Sequence, residues 1–216
     1  MTFSSRQDAG RKLGQRLLEL AVEVDLVAGL PRGGVVVAAE VAGILQRPLD
    51  VIVVRKIGHP WHREFAVGAL AGDGVVILDK DMIGNNPLAQ AELEDVIEEE
   101  KERLRQYQMK FCHGKKNDFK GRSVLVVDDG LATGATAEVA VLSARGKEAR
   151  SVFVAVPVAS ASAFERLSRQ ADAVVTLIVD PNFAAVGQYY KQFPQTSDEE
   201  VLALLRGQDK SFRPAA

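Results

Sequence analysis

The chain has 216 residues, 47% hydrophobic and 26% charged, with Lys+Arg 27 against Asp+Glu 29 and a formal charge of -2. That length suits one domain with a core of its own, and the charge balance excludes a general nucleic-acid coat protein, which needs a large basic excess. One cysteine excludes an internal disulfide, and the longest apolar stretches, 35–45 and 152–159, are too short to span a bilayer. The first ten residues are polar and lack the apolar core of a signal peptide, so a cytoplasmic protein without a membrane partner is expected.

In chain order, 5–22 reads as a helix with Leu13, Leu17, Leu18 and Ala21 on one stripe, and the Val/Leu run 24–30 as a buried strand. A helix over 34–45 and a strand over 50–54 follow. Segments 65–70 and 75–78 flank Ala71-Gly72-Asp73-Gly74, a hairpin-turn signal, so an antiparallel flap is expected there. Residues 88–111 read as a long charged helix with Leu93, Val96, Ile97, Leu104, Tyr107 and Phe111 on one interrupted stripe. Its run Glu98-Glu99-Glu100 reads as a solvated face balanced by Lys101, Arg103 and Arg105, and Cys112-His113 as a surface turn. Strands at 123–128, 151–157 and 173–179 alternate with helices at 135–144 and 161–169. Ser197 and Glu200 form a capping-box pattern ahead of Val201, Leu204 and Leu205, announcing a short closing helix, with 208–216 as a frayed tail. Most of these strands lack polar alternation, as when helices cover both faces of a sheet. The expected fold is α/β, with a mainly parallel central sheet, an antiparallel flap and a helical insertion at about 80–120, all within a single domain over 1–216.

The most informative segment runs from Val124 to Thr136: four apolar residues, then Asp128, Asp129, Gly130, Leu131, Ala132, Thr133, Gly134, Ala135 and Thr136. A small-residue turn that opens a helix brings backbone amides close to a ligand, and the positive helix end favours a phosphate. Carboxylates at the carboxyl end of a parallel strand sit where ligands bind and accept hydrogen bonds from adjacent hydroxyls. Phosphate donors beside diol acceptors suit a ribose 5-phosphate. No lysine follows Gly134, which excludes a Walker loop, and no GxGxxG fingerprint occurs early in the chain.

Leu30-Pro31-Arg32-Gly33-Gly34 likewise follows a strand and opens a helix. It is either a second anion site, with an arginine, or a plain glycine turn at a strand's end. Arg55 and Lys56 are expected at the end of the second strand, where two cations would face a developing diphosphate. His59 and His62 lie three apart, which leaves a zinc site conceivable and solvent-facing or substrate-touching rings the simpler reading.

The segment 124–136 resembles the phosphoribosyl pyrophosphate (PRPP) motif of the type I phosphoribosyltransferases. With Leu30-Pro-Arg-Gly-Gly34 it resembles a bacterial subgroup whose members carry only the family's general name; the resemblance covers about 3–205. Two departures are visible. Gly130 stands where the family more often has an aliphatic residue, and Ala132 where 6-oxopurine members have an aspartate base. The second argues against hypoxanthine or guanine as acceptor; alanine matches adenine-type members, but other adenine-recognition features are not clear.

The resemblance implies transfer of a 5-phosphoribosyl group from PRPP to a nitrogen acceptor, a nucleobase, with release of pyrophosphate. It implies that Ala132 to Thr136 hold the 5-phosphate, that Asp128 and Asp129 hold the ribose, and that Gly130 and Leu131 between them also belong to the PRPP-binding set. Arg32, Gly33 and Gly34 would hold pyrophosphate, with a strained cis peptide expected at Arg32-Gly33. It further implies that Arg55 and Lys56 act before a mobile catalytic loop at 58–64, and that Mg²⁺ is the cofactor, touched by Asp128 and Asp129 through water. Segment 183–190 resembles, one residue too long, the stretch that stacks a purine, so Phe183 and Val186 are candidates for the base, while Phe183 and Tyr189 equally suit a core. A homodimer is expected. The alternative is a non-catalytic PRPP-binding or nucleotide-binding regulator. Such regulators tend to add a DNA-binding element or a basic RNA surface, and no helix-turn-helix precedes the core here.

Overall fold

A strand covered on both faces needs apolar residues at successive positions, and the computed structural model, which describes residues 2–72, 74–78, 87–112 and 118–211, places such runs at the centre of the molecule. Strands β1 (Leu26–Gly29), β2 (Leu49–Val51), β6 (Ser123–Val127), β7 (Ser151–Ser160) and β8 (Ala173–Asp180) form one parallel sheet in the order β2-β1-β6-β7-β8. Alternate residues serve two cores. Val27, Leu125, Val127 and Ala155 face helices α1 (Arg6–Glu19) and α2 (Gly33–Leu45), joined there by Val201 of α6 (Asp198–Ser211). Leu26, Ala28, Val124, Val126 and Val154 face α4 (Ala135–Gly146) and α5 (Ala161–Ser168). The sheet is therefore the middle layer of three.

The second sheet is antiparallel, with β3 (Val54–His59), β4 (His62–Ala71) and β5 (Val76–Leu78) in that order. Ala69 and Ala71 meet Val139 on the outer face of α4, so the flap rides on the main domain through small side chains. The long helix α3 (Pro87–Cys112) packs its stripe of Leu93, Val96, Leu104 and Phe111 into the core, on the side of β3 and β4. Residues 79–86 and 113–117 of the expected insertion, His113 among them, lie outside the described residues, as does Asp73.

Helix ends follow side-chain chemistry. Ser5 accepts from the amide of Asp8 at 3.3 Å, and Ser160 from that of Ala163 at 3.1 Å. The expected capping box forms: Ser197 accepts from the amide of Glu200 at 3.2 Å, and Glu200 from that of Ser197 at 2.7 Å. Helix α6 then continues to Ser211, so the tail expected from 208 is helical for its first four residues.

Three expectations need correction. The run 50–54 is not one strand: β2 stops at Val51, and β3 begins at Val54 in the other sheet. Arg55 and Lys56 thus lie within an antiparallel strand rather than at the end of a parallel one. The loop expected at 58–64 is a tight hairpin in which His59 pairs with His62 and only Pro60 and Trp61 turn. The segment before α1 also meets the one after β8: Phe3 bridges Tyr190, its amide donating to the carbonyl of Tyr189 at 2.8 Å.

Candidate active site

β1 and β6 are parallel neighbours, so the loops leaving their carboxyl ends emerge side by side, tied by Leu30 N–H to Val127 O at 2.9 Å. Loop 30–34 and the two acids interlock. A Cβ on Gly34 would lie 2.7 Å from Asp128 Oδ1, and one on Gly33 would sit 2.7 Å from Arg6 Nε and overlap Asp129 Oδ2. Glycine is required here for approach, not for a turn, which removes the plain-turn reading of this segment. Arg32 stands at the start of α2 without a capping side chain, its guanidinium 3.7 Å from Asp198. The cis peptide lies at Pro31-Arg32, one bond earlier than expected at Arg32-Gly33.

The loop 131–136 is anchored from behind. Leu131 exchanges backbone hydrogen bonds with Val158 and Ser160 at 2.9 Å each. Ser160 Oγ donates to the carbonyl of Ala132 at 2.6 Å, and Arg166 donates to that of Thr133. With those carbonyls occupied, the amides of Ala132, Thr133 and Gly134 have no partner among the described residues. Gly134 takes φ 76, the left-handed region glycine favours, and α4 starts there with no capping side chain. An uncapped helix start with free loop amides can donate hydrogen bonds to an anion.

Two carboxylates crowd the end of β6. Burial and the neighbouring charge of Asp129 push the Asp128 carboxyl well above its usual range, while Asp129's own amide, Lys56 and Arg6 pull it back. Asp129 is raised by burial and held down chiefly by Arg6, whose Nε donates to Oδ2 at 2.7 Å. Tyr190 donates its hydroxyl to the main-chain carbonyl of Asp129 at 2.6 Å, and burial pushes its phenol up, so it stays a donor. Sequence reading missed Arg6 and Tyr190; the two acids at 128 and 129 called for a counter-charge without saying which distant residue supplies it, and no signal pointed to Tyr190.

These carboxylates fit a hard cation. Their oxygens lie side by side at the end of β6, and no group of three His, Cys, Asp or Glu side chains among the described residues could cage a metal without further ligands. That donor set suits Mg²⁺ held largely by substrate and water oxygens. His59 and His62 stand ring to ring at 5.9 Å in the hairpin; neither belongs to such a group.

The flap carries the remaining cations. Lys56 is exposed and close enough to favour the ionised form of both acids. Arg55 turns the other way, its Nε donating to Glu100 at 2.8 Å. Glu100 is 6% exposed and also receives Arg103 at 2.7 Å, so the acidic run is solvated only at Glu98 and Glu99. Arg63 pairs with Glu99 at 3.0 Å, and Trp61 donates to Glu92 at 2.7 Å, tying the hairpin tip to α3. A cavity of about 640 Å³ lies between, lined by Arg55, Lys56, Gly58, Arg63, Glu99, Glu100 and Arg103.

On the far side, Val186 packs over the acid segment: a Cβ on Gly130 would lie 2.7 Å from Val186 Cγ1 and 3.0 Å from Val158. Glycine at 130, a departure from the family pattern, thus follows from what sits above it. Phe183 stacks on Tyr189 at 5.4 Å and 23°, and Tyr189 donates to Asp180 at 2.6 Å. The structure therefore brings together Arg32, Gly33, Gly34, Lys56 and 128–136, sets Val186 beside them, and gives the rings of Phe183 and Tyr189 to each other.

The sequence pattern of the phosphoribosyl transferase domain matches residues 4–193. A Mycobacterium tuberculosis H37Rv protein, provisionally named phosphoribosyl transferase Rv0571c, is 44% identical over 214 residues, 99% of this chain and 48% of that relative. The chain thus spans about half the length of the curated relatives it matches. The crystal structure of TT1426 from Thermus thermophilus superposes with a TM-score of 0.79 at 43% identity, over 96% of this chain and 99% of that one.

Proposed function

Because the chain belongs to the family of phosphoribosyl transferase domains, we propose that it transfers the 5-phosphoribosyl group of PRPP to a nucleobase nitrogen and releases pyrophosphate. The observation that carries this reading is the meeting of two anion loops and an acid pair on one edge of the parallel sheet. The free amides of Ala132, Thr133 and Gly134 and the start of α4 take the 5-phosphate. Asp128 and Asp129 accept the two ribose hydroxyls, and Arg32 with the Gly33-Gly34 backbone takes the diphosphate. The C1–O bond then breaks, its electron pair leaving on the diphosphate. The acceptor nitrogen closes the C1–N bond and loses its proton to solvent.

Positive charge developing on the ribose faces the two carboxylates, and negative charge on the leaving group faces Arg32 and, on flap closure, Lys56; positioning and charge do the work. Bound Mg²⁺ would neutralise diphosphate oxygens, with Asp128 and Asp129 touching its water shell. Arg55 serves at one remove, by holding β3 against Glu100. Val186 is the candidate contact for the base edge. No helix of the described residues is long and apolar enough to cross a membrane.

One observation favours a PRPP-binding regulator instead. With Arg55 committed to Glu100, Lys56 is the one flap cation among the described residues that acts on the acids. A screen of nucleobases with PRPP and Mg²⁺, scored by pyrophosphate release, separates the two. Release with one base establishes transfer. Tight PRPP binding with no release from any base establishes the regulator, and no PRPP binding at millimolar concentration overturns both.

A further inference from the structure

Arg6 occupies a position that charge alone disfavours. It is the first residue of α1, where the helix dipole repels a cation, and it is only 9% exposed. Its neighbours explain it. Nε donates to Asp129 Oδ2 at 2.7 Å, Nη1 donates to the carbonyl of Pro194 at 2.6 Å, and the guanidinium carbon lies 3.7 Å from the centre of the Phe193 ring. A planar head held at three points has lost its freedom before any ligand arrives. It takes one oxygen of Asp129 and leaves the other for a ligand. Tyr190 fixes the main chain of the same residue from below at 2.6 Å, and Gly33 closes over the pair with no room for a Cβ.

We infer that Arg6 is a positioning residue for ribose recognition: by gripping Oδ2 it aims the free oxygen of Asp129 at a ribose hydroxyl, while phosphate recognition proceeds without it. The inference rests on the PRPP reading above. It assigns to α1 and to the 193–194 segment a part in the site that neither loop sequence announces. A purely structural ion pair would behave differently, since its loss would disturb every ligand through general loosening.

The test compares a ligand that carries ribose with one that does not. Calorimetry with PRPP and Mg²⁺, and separately with inorganic phosphate, is run on the wild type, Arg6→Gln and Arg6→Lys. For Arg6→Gln, PRPP binding is expected to weaken by about 10- to 100-fold, the scale of a lost charge-assisted bond, while phosphate binding stays within about twofold. Arg6→Lys keeps the charge but not the fork, and recovers part of the loss; if Arg6→Gln does not fold, this variant decides by the same comparison. Equal weakening for both ligands, or unchanged PRPP affinity, overturns the inference while leaving PRPP binding by the wild type intact. A wild type that ignores PRPP removes the functional reading and this inference with it.

Discussion

Strand β6 and strand β3 each deliver charged groups to the same site, and they are held by different forces. Every residue from Ser123 to Val127 is buried, and the loop that follows is pinned by backbone bonds of 2.9 Å and by Ser160 at 2.6 Å. β3 has one fully buried side chain, Ile57, and is fastened to α3 through Arg55–Glu100 at 2.8 Å, with Arg63–Glu99 at 3.0 Å on the adjoining strand. Close packing has one good arrangement and resists displacement. Partly exposed ion pairs are weaker, tolerate sliding and are screened by salt. On the proposed reading, the ribose and phosphate contacts would rest on the rigid element and the Lys56 contact to the leaving group on the adjustable one, the division expected where a cover must close over a preformed cradle.

The sharpest way to break that comparison is at Lys56. If it engages mainly on closure, Lys56→Ala lowers turnover by about 10²-fold or more, the scale of one lost electrostatic stabiliser, with PRPP affinity changing far less. Steady-state kinetics beside calorimetry checks this, and equal loss in both would make Lys56 part of the rigid cradle. Next in size, Asp129→Asn should weaken PRPP by about 1.5–3 kcal/mol, since a charge-assisted acceptor is lost from a fixed position.

Glu100→Gln probes the adjustable side. It leaves Arg55 without its carboxylate, and because that arginine is 28% exposed, water softens the cost to about 1–2 kcal/mol. Amide exchange should quicken over 54–59 and not over 123–127; a uniform change would mean the two regions are one unit.

The smallest effect has the most telling sign. The folded state raises the Asp128 carboxyl above its ordinary value of 3.8, so the folded protein binds more protons than the unfolded chain between those two values. Stability therefore falls as pH rises through that window. Asp128→Asn does not titrate. Its melting temperature should exceed that of the wild type at neutral pH, and the gap should shrink toward pH 4, while PRPP binding is lost. A pH-independent gap would show that the acid is not strained.

The layered sheet, the helices on both faces and the turn that opens α4 were legible because each rests on local pattern: apolar runs, a small-residue turn, a capping box. What escaped depended on partners far along the chain. Arg6 lies 123 positions before Asp129, and nothing in its surroundings marks it as more than a helical surface residue. Glu100 looked solvated within a run of three acids, and the arrival of Arg55 from 45 residues away, beside Arg103 on the same helix, makes its burial tolerable. The break between β2 and β3 was hidden because Ile52 and Val53 are apolar and buried, so the run continues while the chain changes sheets. Phe183 was evenly balanced between ligand and core, and its stacking on Tyr189 could not be read without their geometry.

The junction of Phe3 with Tyr190 has a consequence for how the molecule is made. A ribosome releases the chain from its first residue onward, and domains tend to fold as they emerge. The amino-terminal helix is available early, and the paired acids follow after more than half of the chain. The hydroxyl that steadies Asp129 and the ring that steadies Arg6 belong to Tyr190 and Phe193. Until those residues leave the exit tunnel, Asp129 lacks the hydroxyl that holds its main chain and Arg6 lacks the ring it packs on. A nascent chain arrested with Tyr190 and Phe193 still inside the tunnel should therefore fail to hold PRPP, and one arrested far enough beyond Phe193 for both residues to have emerged should gain that ability.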